Sequence, residues 1–471
     1  MDILDRDAVE ILAALHAGEM TCEALMAETL ARIKAVNGSV NALVSLRDSA
    51  TLMNEARAAD QVQREERGAL HGLPFAVKDL AALVGLPNSQ GSPLYADQVP
   101  QQDDTLVARL HAAGVIFVGK SNVPEFGLGS HSYNPVFGVT RNPYDTTRAA
   151  GGSSGGAAAA LATGMVSLAD GSDMMGSLRN PAAFCNVYGF RPSWGVVPRE
   201  PGSETFLQQL STLGPMARSP RDMALMMSVI AAPNPMVPHN APVQDWTLEP
   251  PQSLSNVSVG WLGDWGSAYP MEPGILEMCE AGLKGSGFHV EGLDAPFAAE
   301  DLWSSWTTLR HWAVSAELAA DYSNSERRAQ LKPEAQWETE RGLALTASQI
   351  SQAGALRARW YEVLADVLQR YDALALPVSQ VWPFDADIPW PREINGQVMD
   401  TYHRWMEVVV PVSLAGVPAI SLPIGFGDRG LPMGVQLFTA KGRDRDLLNW
   451  AQAYHDTTGW PQKCRAHIQN S

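Results

Sequence analysis

Residues Arg148 to Gly164 read RAAGGSSGGAAAALATG and hold four glycines and two serines in the six positions 151–156. Because glycine has no Cβ, such a run lets the backbone approach other atoms closely and take conformations closed to larger residues. The alanine run that follows favours a helix. The stretch therefore predicts a tight loop that presents two hydroxyl groups and leads into a helix.

Three kinds of site combine glycine with a hydroxyl. A phosphate-binding P-loop ends in Gly-Lys-Ser/Thr, and alanine follows Gly156 here, which excludes it. Gly152 to Gly156 match the G-x-S-x-G nucleophile elbow with Ser154 as nucleophile, but the preceding RNPYDTTRAA is polar where an elbow follows a buried strand. The third kind is a serine that relays a proton between a base and a second hydroxyl.

A partner for such a relay lies downstream in LADGSDMMGSLRNPAAFCNVYGFRPSWG, residues 168–195. Gly176 and Ser177 end a run of turn residues, which predicts a hydroxyl on a tight backbone whose N–H groups point at one spot, as in an oxyanion hole. No histidine has a glycine-rich catalytic setting, and a lysine can replace it as the base. Lys78 in GLPFAVKDLAALVG is the candidate, although a lysine at a strand end can also be an ordinary surface cation. Its apolar neighbours would desolvate the ammonium and lower its pKa.

Short apolar runs with Gly or Pro punctuation alternate with helical patterns along the chain. LPFAVKD (73–79) and GVIFVGK (114–120) are typical of buried strands, and the amphipathic DDTLVARLHAAG lies between them. This alternation predicts an α/β layered fold.

The chain resembles the amidase signature family of serine hydrolases, which cleave carboxamides with a Ser-Ser-Lys triad. The resemblance covers most of the chain and is carried by six blocks in the family's order: GLPFAVKD, LVARLHAAGVIFVGKSNVPEFGLGS, FGVTRNPYDTTRAAGGSSGG, GSDMMGSLRNPAAFCNVYGFRPSWG, LGPMARSPRD and LAGVPAISLPIG with GLPMGVQL. It implies an α/β fold with one large twisted mixed β-sheet flanked by helices on both faces. We expect a single domain over 1–471, with an N-terminal helical segment at about 1–60 and an inserted helical and capping region at about 300–405.

The resemblance also implies roles for individual residues. Ser177 resembles the nucleophile, Ser153 the middle serine on a cis peptide bond, and Lys78 the base. The resemblance further implies two supporting sets: an oxyanion hole from the backbone of Met174, Met175, Gly176 and Ser177, and hydrogen-bond or charge support from Ser154, Asp173 and Arg179. No metal and no organic cofactor is expected.

Met174-Met175 departs from the family, most members of which have a second glycine just before Gly176. If that position needed a positive φ, a methionine would be strained there. The two side chains would either narrow the acyl side of the pocket or simply pack in the core. The residues expected to line the substrate pocket are Ser130, Trp382, Trp390 and Trp405, most of them in a proline- and tryptophan-rich loop.

Composition restricts the partners. A formal net charge of -17 disfavours nucleic acid and anionic membrane surfaces. The four cysteines are far apart and form no CxxC pair, which indicates a reducing, cytoplasmic location. The N-terminus has acids where a signal peptide needs basic residues, and no apolar run reaches the roughly 18 residues of a membrane span. We expect a small-molecule amide substrate and a monomer or homodimer.

Three functions are consistent with the sequence. The first is an amidohydrolase that cleaves a carboxamide or related C–N bond through an acyl-serine and releases ammonia or an amine. The second is the glutaminase (A-type) subunit of a tRNA-dependent amidotransferase, which belongs to the same family and has a similar length. The third is a degenerate, non-catalytic member, suggested only by Met174-Met175.

Overall fold

The computed structural model of the chain describes residues 3–199, 206–207, 209–249 and 253–466. Its α-helices, numbered in chain order, are α1 Ala8–Ala17, α2 Cys22–Val40, α3 Ser49–Asp60, α4 Thr105–Ala112, α5 Gly155–Ala162, α6 Arg179–Phe184, α7 Pro220–Ile230, α8 Ile275–Gly285, α9 Ala299–Ser323, α10 Ser325–Arg328, α11 Pro333–Leu343, α12 Ala347–Val367, α13 Val410–Ala415, α14 Asp444–Thr458 and α15 Trp460–Lys463. None of the helices in these residues is long and apolar enough to cross a membrane.

The strands of the described residues form one large sheet and several small ones. They are β1 Leu43–Val44, β2 Pro74–Lys78, β3 Ile116–Ser121, β4 Tyr133–Asn134, β5 Gly138–Val139, β6 Arg141–Asn142, β7 Asp145–Ala149, β8 Leu168–Asp173, β9 Tyr188–Arg191, β10 Thr212–Ala217, β11 Ser258–Trp261, β12 His289–Gly292, β13 Ala373–Pro377, β14 Glu393–Ile394, β15 Gln397–Val398, β16 Ala419–Phe426 and β17 Pro432–Phe438.

The large sheet has eight strands in the order β12-β11-β13-β17-β16-β9-β10-β8. The first three are parallel, and the pairs from β13 to β8 are antiparallel. The central strands β13, β16 and β17 are buried along almost all of their length and are mostly apolar, as strands covered by helices are. Helices α6, α8 and α14 pack against them. The predicted fold class, a large mixed sheet flanked by helices, is confirmed.

Two sheet edges position the chemistry discussed below. Strand β8 is the last strand of the large sheet and ends at Asp173. Strand β2 lies in a separate three-stranded sheet of order β1-β3-β2, and it ends at Lys78. Because β2 packs against β8, the ends of the two strands lie close together.

The expected inserted region at about 300–405 is not continuous. Helices α9 to α12 occupy most of it, and α9 packs against α11 and α12. Strand β13, however, lies between β11 and β17 inside the large sheet. Only the segments on either side of β13 can therefore belong to a cap. The N-terminal segment contains α1, α2 and α3, with the short strand β1 between the last two.

Candidate active site

Lys78, the last residue of β2, is 1% exposed. Its Nζ atom lies 2.9 Å from Ser153 Oγ, 2.7 Å from Ser154 Oγ and 3.0 Å from Ser172 Oγ. A protonated amine can donate to all three hydroxyls, whereas a neutral amine can donate to two and accept from the third. The site therefore satisfies the lysine in both protonation states.

Burial lowers the pKa of Lys78 to about 7, although the carboxylates of Asp170 and Asp173 act in the opposite direction. Asp170 Oδ1 accepts the backbone N–H of Lys78 at 2.8 Å and so fixes the end of β2 against β8. Burial also raises the pKa of Asp170 to about 6. Near neutral pH a large fraction of Lys78 is therefore the free amine, which can act as a base.

The glycine-serine loop lies between β7 and α5, and its glycines are there because other backbone comes very close. A Cβ on Gly152 would lie 2.7 Å from the backbone nitrogen of His131, and one on Gly156 would clash with the backbone nitrogen of Asn122. The peptide bond between Gly152 and Ser153 is cis, as the resemblance implied. The two hydroxyls of this loop both reach Lys78.

Ser177 lies between β8 and α6 and is 7% exposed. The backbone N–H of Ser154 donates to the Ser177 carbonyl oxygen at 3.3 Å, so the two loops are in direct contact. The Ser177 hydroxyl makes no hydrogen bond to another described residue. Ser154 is fully buried, unlike the exposed nucleophile of an elbow, which disfavours that interpretation.

Asp173 is the centre of a buried charge cluster. Arg179 binds it through Nε at 2.9 Å and Nη2 at 3.0 Å, and Arg191 Nη1 lies 3.0 Å from its Oδ1. Burial alone would raise the pKa of Asp173, but the two guanidinium groups hold it well below its usual range. The carboxylate also accepts from the Gly176 N–H at 2.9 Å and from the Leu178 N–H at 3.3 Å. It therefore shapes the loop that carries Ser177.

These contacts revise the expected oxyanion hole at one residue. The Gly176 N–H is already bonded to Asp173, so it is not free for an oxyanion. The N–H groups of Met174, Met175 and Ser177 have no hydrogen-bond partner within the part of the chain that the structure describes. Gly176 has a φ of 78°, and neither methionine has a positive φ, so the methionine pair causes no backbone strain of the kind considered above.

Sequence reasoning missed three residues of this cluster. Ser172 contacts Lys78, Asp170 anchors its backbone, and Arg191 shares Asp173 with Arg179. A signal was present for two of them: Asp170 and Ser172 alternate in LADGSD, a buried strand in which polar side chains need partners. Arg191 gave a weaker signal, because it is the last residue of its strand, where a basic side chain is commonly exposed.

Two cavities adjoin the site. The larger, about 360 Å³, is lined by residues that include Lys78, Asp170, Ser172 and Met174. The second, only about 10 Å³, is lined by residues that include Ser130, Trp390, Tyr402 and Trp405.

Trp382 does not line either cavity. Its indole N–H donates to Pro273 O at 3.2 Å, and the ring covers Gly427. The structure therefore brings together three of the four expected pocket residues and places Trp382 in the core instead. A single sequence cannot reveal this, because tryptophans in one loop can face different neighbours.

A family model described as Amidase matches residues 24–448, which is most of the chain. The chain belongs to the amidase signature family. The match confirms the family that the sequence blocks indicated. As a member of this family, the protein is an amidase-type enzyme.

The amidase signature chain is 31% identical over 457 residues to the A-type subunit of the Glutamyl-tRNA(Gln) amidotransferase of Alkaliphilus metalliredigens, with 91% of each chain covered. Among solved structures it is similar to a bacterial aryl acylamidase of the amidase signature family, with a TM-score of 0.89 and 26% identity over 98% of this chain and 99% of that one. It is also similar to the A-type subunit of the Glutamyl-tRNA(Gln) amidotransferase from Thermotoga maritima, with a TM-score of 0.78 and 28% identity over 97% of this chain and 95% of that one.

Proposed function

We propose that this amidase signature enzyme hydrolyses linear carboxamides of small molecules through an acyl-Ser177 intermediate. The observation that carries the proposal is the contact between the buried Lys78 amine and the Ser153 hydroxyl, 2.9 Å apart, on a loop that touches the Ser177 backbone. A base of pKa about 7 is matched to proton transfer at neutral pH.

In the proposed first step, neutral Lys78 takes the proton of the Ser153 hydroxyl while Ser153 takes the proton of Ser177. The Ser177 oxygen then attacks the amide carbonyl carbon and forms a tetrahedral oxyanion. Collapse of this intermediate breaks the C–N bond. The proton returns through Ser153 to the nitrogen, which leaves as ammonia or an amine, and water then releases the acid from Ser177 by the same proton path.

The N–H groups of Met174, Met175 and Ser177 supply the proposed oxyanion hole. Each donor aimed at an oxyanion contributes about 2.7–4 kcal/mol to transition-state stabilisation. Asp173 keeps these donors in place, because it binds the neighbouring N–H groups of Gly176 and Leu178. In this proposal Asp173, Arg179 and Ser154 position the reacting groups and do not touch the substrate.

A second candidate is the glutaminase component of a tRNA-dependent amidotransferase. It is supported by the 31% identity to the Alkaliphilus metalliredigens protein over 91% of the chain. The free-standing hydrolase is supported by the higher TM-score to the aryl acylamidase, 0.89 against 0.78 for the Thermotoga maritima protein. Copurification of the tagged chain with a tRNA-binding protein, together with glutaminase activity, would favour the second candidate.

The first experiment is mass spectrometry of the protein after exposure to a broad fluorophosphonate, followed by a screen of linear amides. We expect one adduct, on Ser177, which Lys78→Ala abolishes. Lys284→Ala is the matched control, because that lysine is exposed and pairs with Glu280 on the same helix. An adduct on Ser154 would contradict the proposed nucleophile, and the absence of any adduct in a folded protein would indicate a degenerate family member.

A further inference from the structure

Arg310, on helix α9, is a buried cation beside the candidate oxyanion hole. It is 4% exposed, and its Nη1 atom lies 3.1 Å from the Met174 sulfur. No oxygen atom of the described residues accepts a hydrogen bond from Nη1. A thioether sulfur is a weak acceptor, so this face of the guanidinium has hydrogen-bonding capacity that the protein itself does not fill.

The other two guanidinium nitrogens, Nε and Nη2, both donate hydrogen bonds to side chains. Nε donates to Glu338 Oε1 at 2.6 Å, and Nη2 donates to the Tyr402 hydroxyl at 2.6 Å. The Tyr402 hydroxyl in turn donates to the same Glu338 oxygen at 2.6 Å. The guanidinium carbon of Arg310 lies 5.2 Å from the centroid of the Trp306 ring. Burial disfavours the charged form, but Tyr402 and Glu338 outweigh it and raise the pKa of Arg310, so it is always a cation.

Two histidines, His311 and His403, also face Glu338. Glu338 also binds His311 Nδ1 at 2.5 Å, and the Arg310 charge together with this hydrogen bond holds the pKa of Glu338 well below its usual range despite burial. Burial keeps the pKa of His403 well below its usual value, so that ring is neutral. Arg310 and Glu338 therefore form one neutralised pair with one guanidinium edge left over.

The position of Arg310 links the two cavities at the site. Met174, which it touches on one side, lines the larger cavity together with Lys78. Tyr402, which it touches on the other side, lines the smaller cavity together with Ser130. Methionine is unbranched and flexible, so its side chain can move aside at low cost and expose Nη1 to a bound molecule.

We propose that Arg310 determines acyl specificity, and that its Nη1 donates to a second oxygen on the acyl group of the substrate, a carboxylate or carbamoyl oxygen, in place of the Met174 sulfur. The inference rests on the proposed amide hydrolysis and adds the substrate class: amides whose acyl part ends in a polar oxygen group. A hydrocarbon acyl group of the same shape would leave the guanidinium edge unpaired in a closed site, which is costly.

Three amides with the same number of heavy atoms test the proposal: succinamate, succinamide and 4-methylpentanamide. They place a carboxylate, a carbamoyl group or an isopropyl group at the same distance from the scissile carbonyl. We expect the wild-type enzyme to have a higher kcat/KM for at least one of the two oxygen-bearing amides than for 4-methylpentanamide. Arg310→Met should lower that kcat/KM by about 10- to 100-fold and change the value for 4-methylpentanamide by much less.

Two further variants make the result specific. Arg341→Met is the matched control, because Arg341 is exposed on α11 and its guanidinium stacks on Trp337 at 4.6 Å, away from Met174. If Arg310→Met fails to fold because Glu338 is left unpaired, Arg310→Met with Glu338→Gln removes both charges and should show the same loss of preference.

The outcomes separate this inference from the proposed function. Equal losses for all three amides in the folded Arg310 variants, or a wild-type preference for 4-methylpentanamide, would overturn the role of Arg310. Turnover of none of the three by an enzyme whose Ser177 is still labelled by fluorophosphonate would overturn it as well, while leaving the nucleophile intact. Loss of Ser177 labelling in the wild type would instead contradict the proposed function.

Discussion

The backbone N–H of Gly176 donates to Oδ1 of Asp173 at 2.9 Å. This bond folds the loop after β8 back onto a carboxylate that two arginines hold ionised. Because the Gly176 N–H is occupied, the proposed oxyanion hole consists of the N–H groups of Met174, Met175 and Ser177. The geometry of the loop that carries Ser177 therefore depends on a buried charge cluster.

Replacing Asp173 should destabilise the protein strongly. Asp173→Asn leaves Arg179 and Arg191 buried without a counter-charge, and removing one partner of a buried ion pair costs about 3–5 kcal/mol. Urea unfolding followed by circular dichroism measures this loss. Glu280→Gln, which breaks only the exposed pair with Lys284, is the control and should have a much smaller effect. Equal effects of the two variants would contradict the structural role of Asp173.

The two serines of the loop should differ in their effect on rate, although both contact Lys78. Ser153→Ala removes the proposed proton relay and should lower kcat by about 10²–10⁴-fold, the usual size of general acid–base catalysis. Ser154→Ala removes only a hydrogen bond to the Lys78 amine, so its effect on kcat should be clearly smaller. Single-turnover acylation rates compare them directly. A larger loss in Ser154→Ala would assign the relay to Ser154.

The pH dependence of kcat/KM should follow the titration of Lys78. Its pKa in the folded protein is lowered to about 7, and only the neutral amine can accept a proton. Activity should therefore rise with pH through a midpoint near 7 and fall about tenfold per pH unit well below it. Rates of a neutral amide between pH 5 and 9 measure this profile. A flat profile across neutral pH would mean that Lys78 does not act as the base.

Stability should change with pH for the same reason. A lysine with its folded pKa lowered from 10.5 to about 7 binds fewer protons in the folded state than in the unfolded state between these values. In this window the Lys78 contribution makes the free energy of unfolding rise with pH. Lys78→Met removes that contribution. Between pH 7 and 10 the free energy of unfolding of this variant should therefore have a less positive slope against pH than that of the wild type. Parallel curves would contradict a depressed pKa.

The tryptophans of the long loop should separate into two classes. Trp390, half-buried in the wall of the small cavity, should change KM among amides of different acyl size when replaced by alanine. Trp382→Ala should leave selectivity unchanged and lower the free energy of unfolding by about 3–5 kcal/mol, because Trp382 packs on Gly427 in the core. A KM panel and thermal unfolding of both variants test this. Altered selectivity in Trp382→Ala would restore it to the pocket.

The sequence predicted those features that depend on the residues of one short stretch. The glycines of 151–156 indicated close backbone approach, and the structure has the Gly152 and Gly156 positions against His131 and Asn122. The apolar surroundings of Lys78 indicated desolvation, and the lysine is buried with a pKa of about 7. Family resemblance in six ordered blocks then predicted the mixed sheet, which is confirmed.

Other features depended on contacts between residues far apart in the chain. Sequence alone determined the fold class and the residue types of the candidate site. Close backbone approach and apolar patterning depend on residues that are consecutive in the chain, so both can be read from short stretches. Only the tertiary structure decided that Ser172 joins Lys78, that the Gly176 N–H is occupied, that Trp382 belongs to the core, and that Arg310 lies beside Met174. The physical reason is that hydrogen bonds and burial depend on distances in space, which the order of residues does not fix.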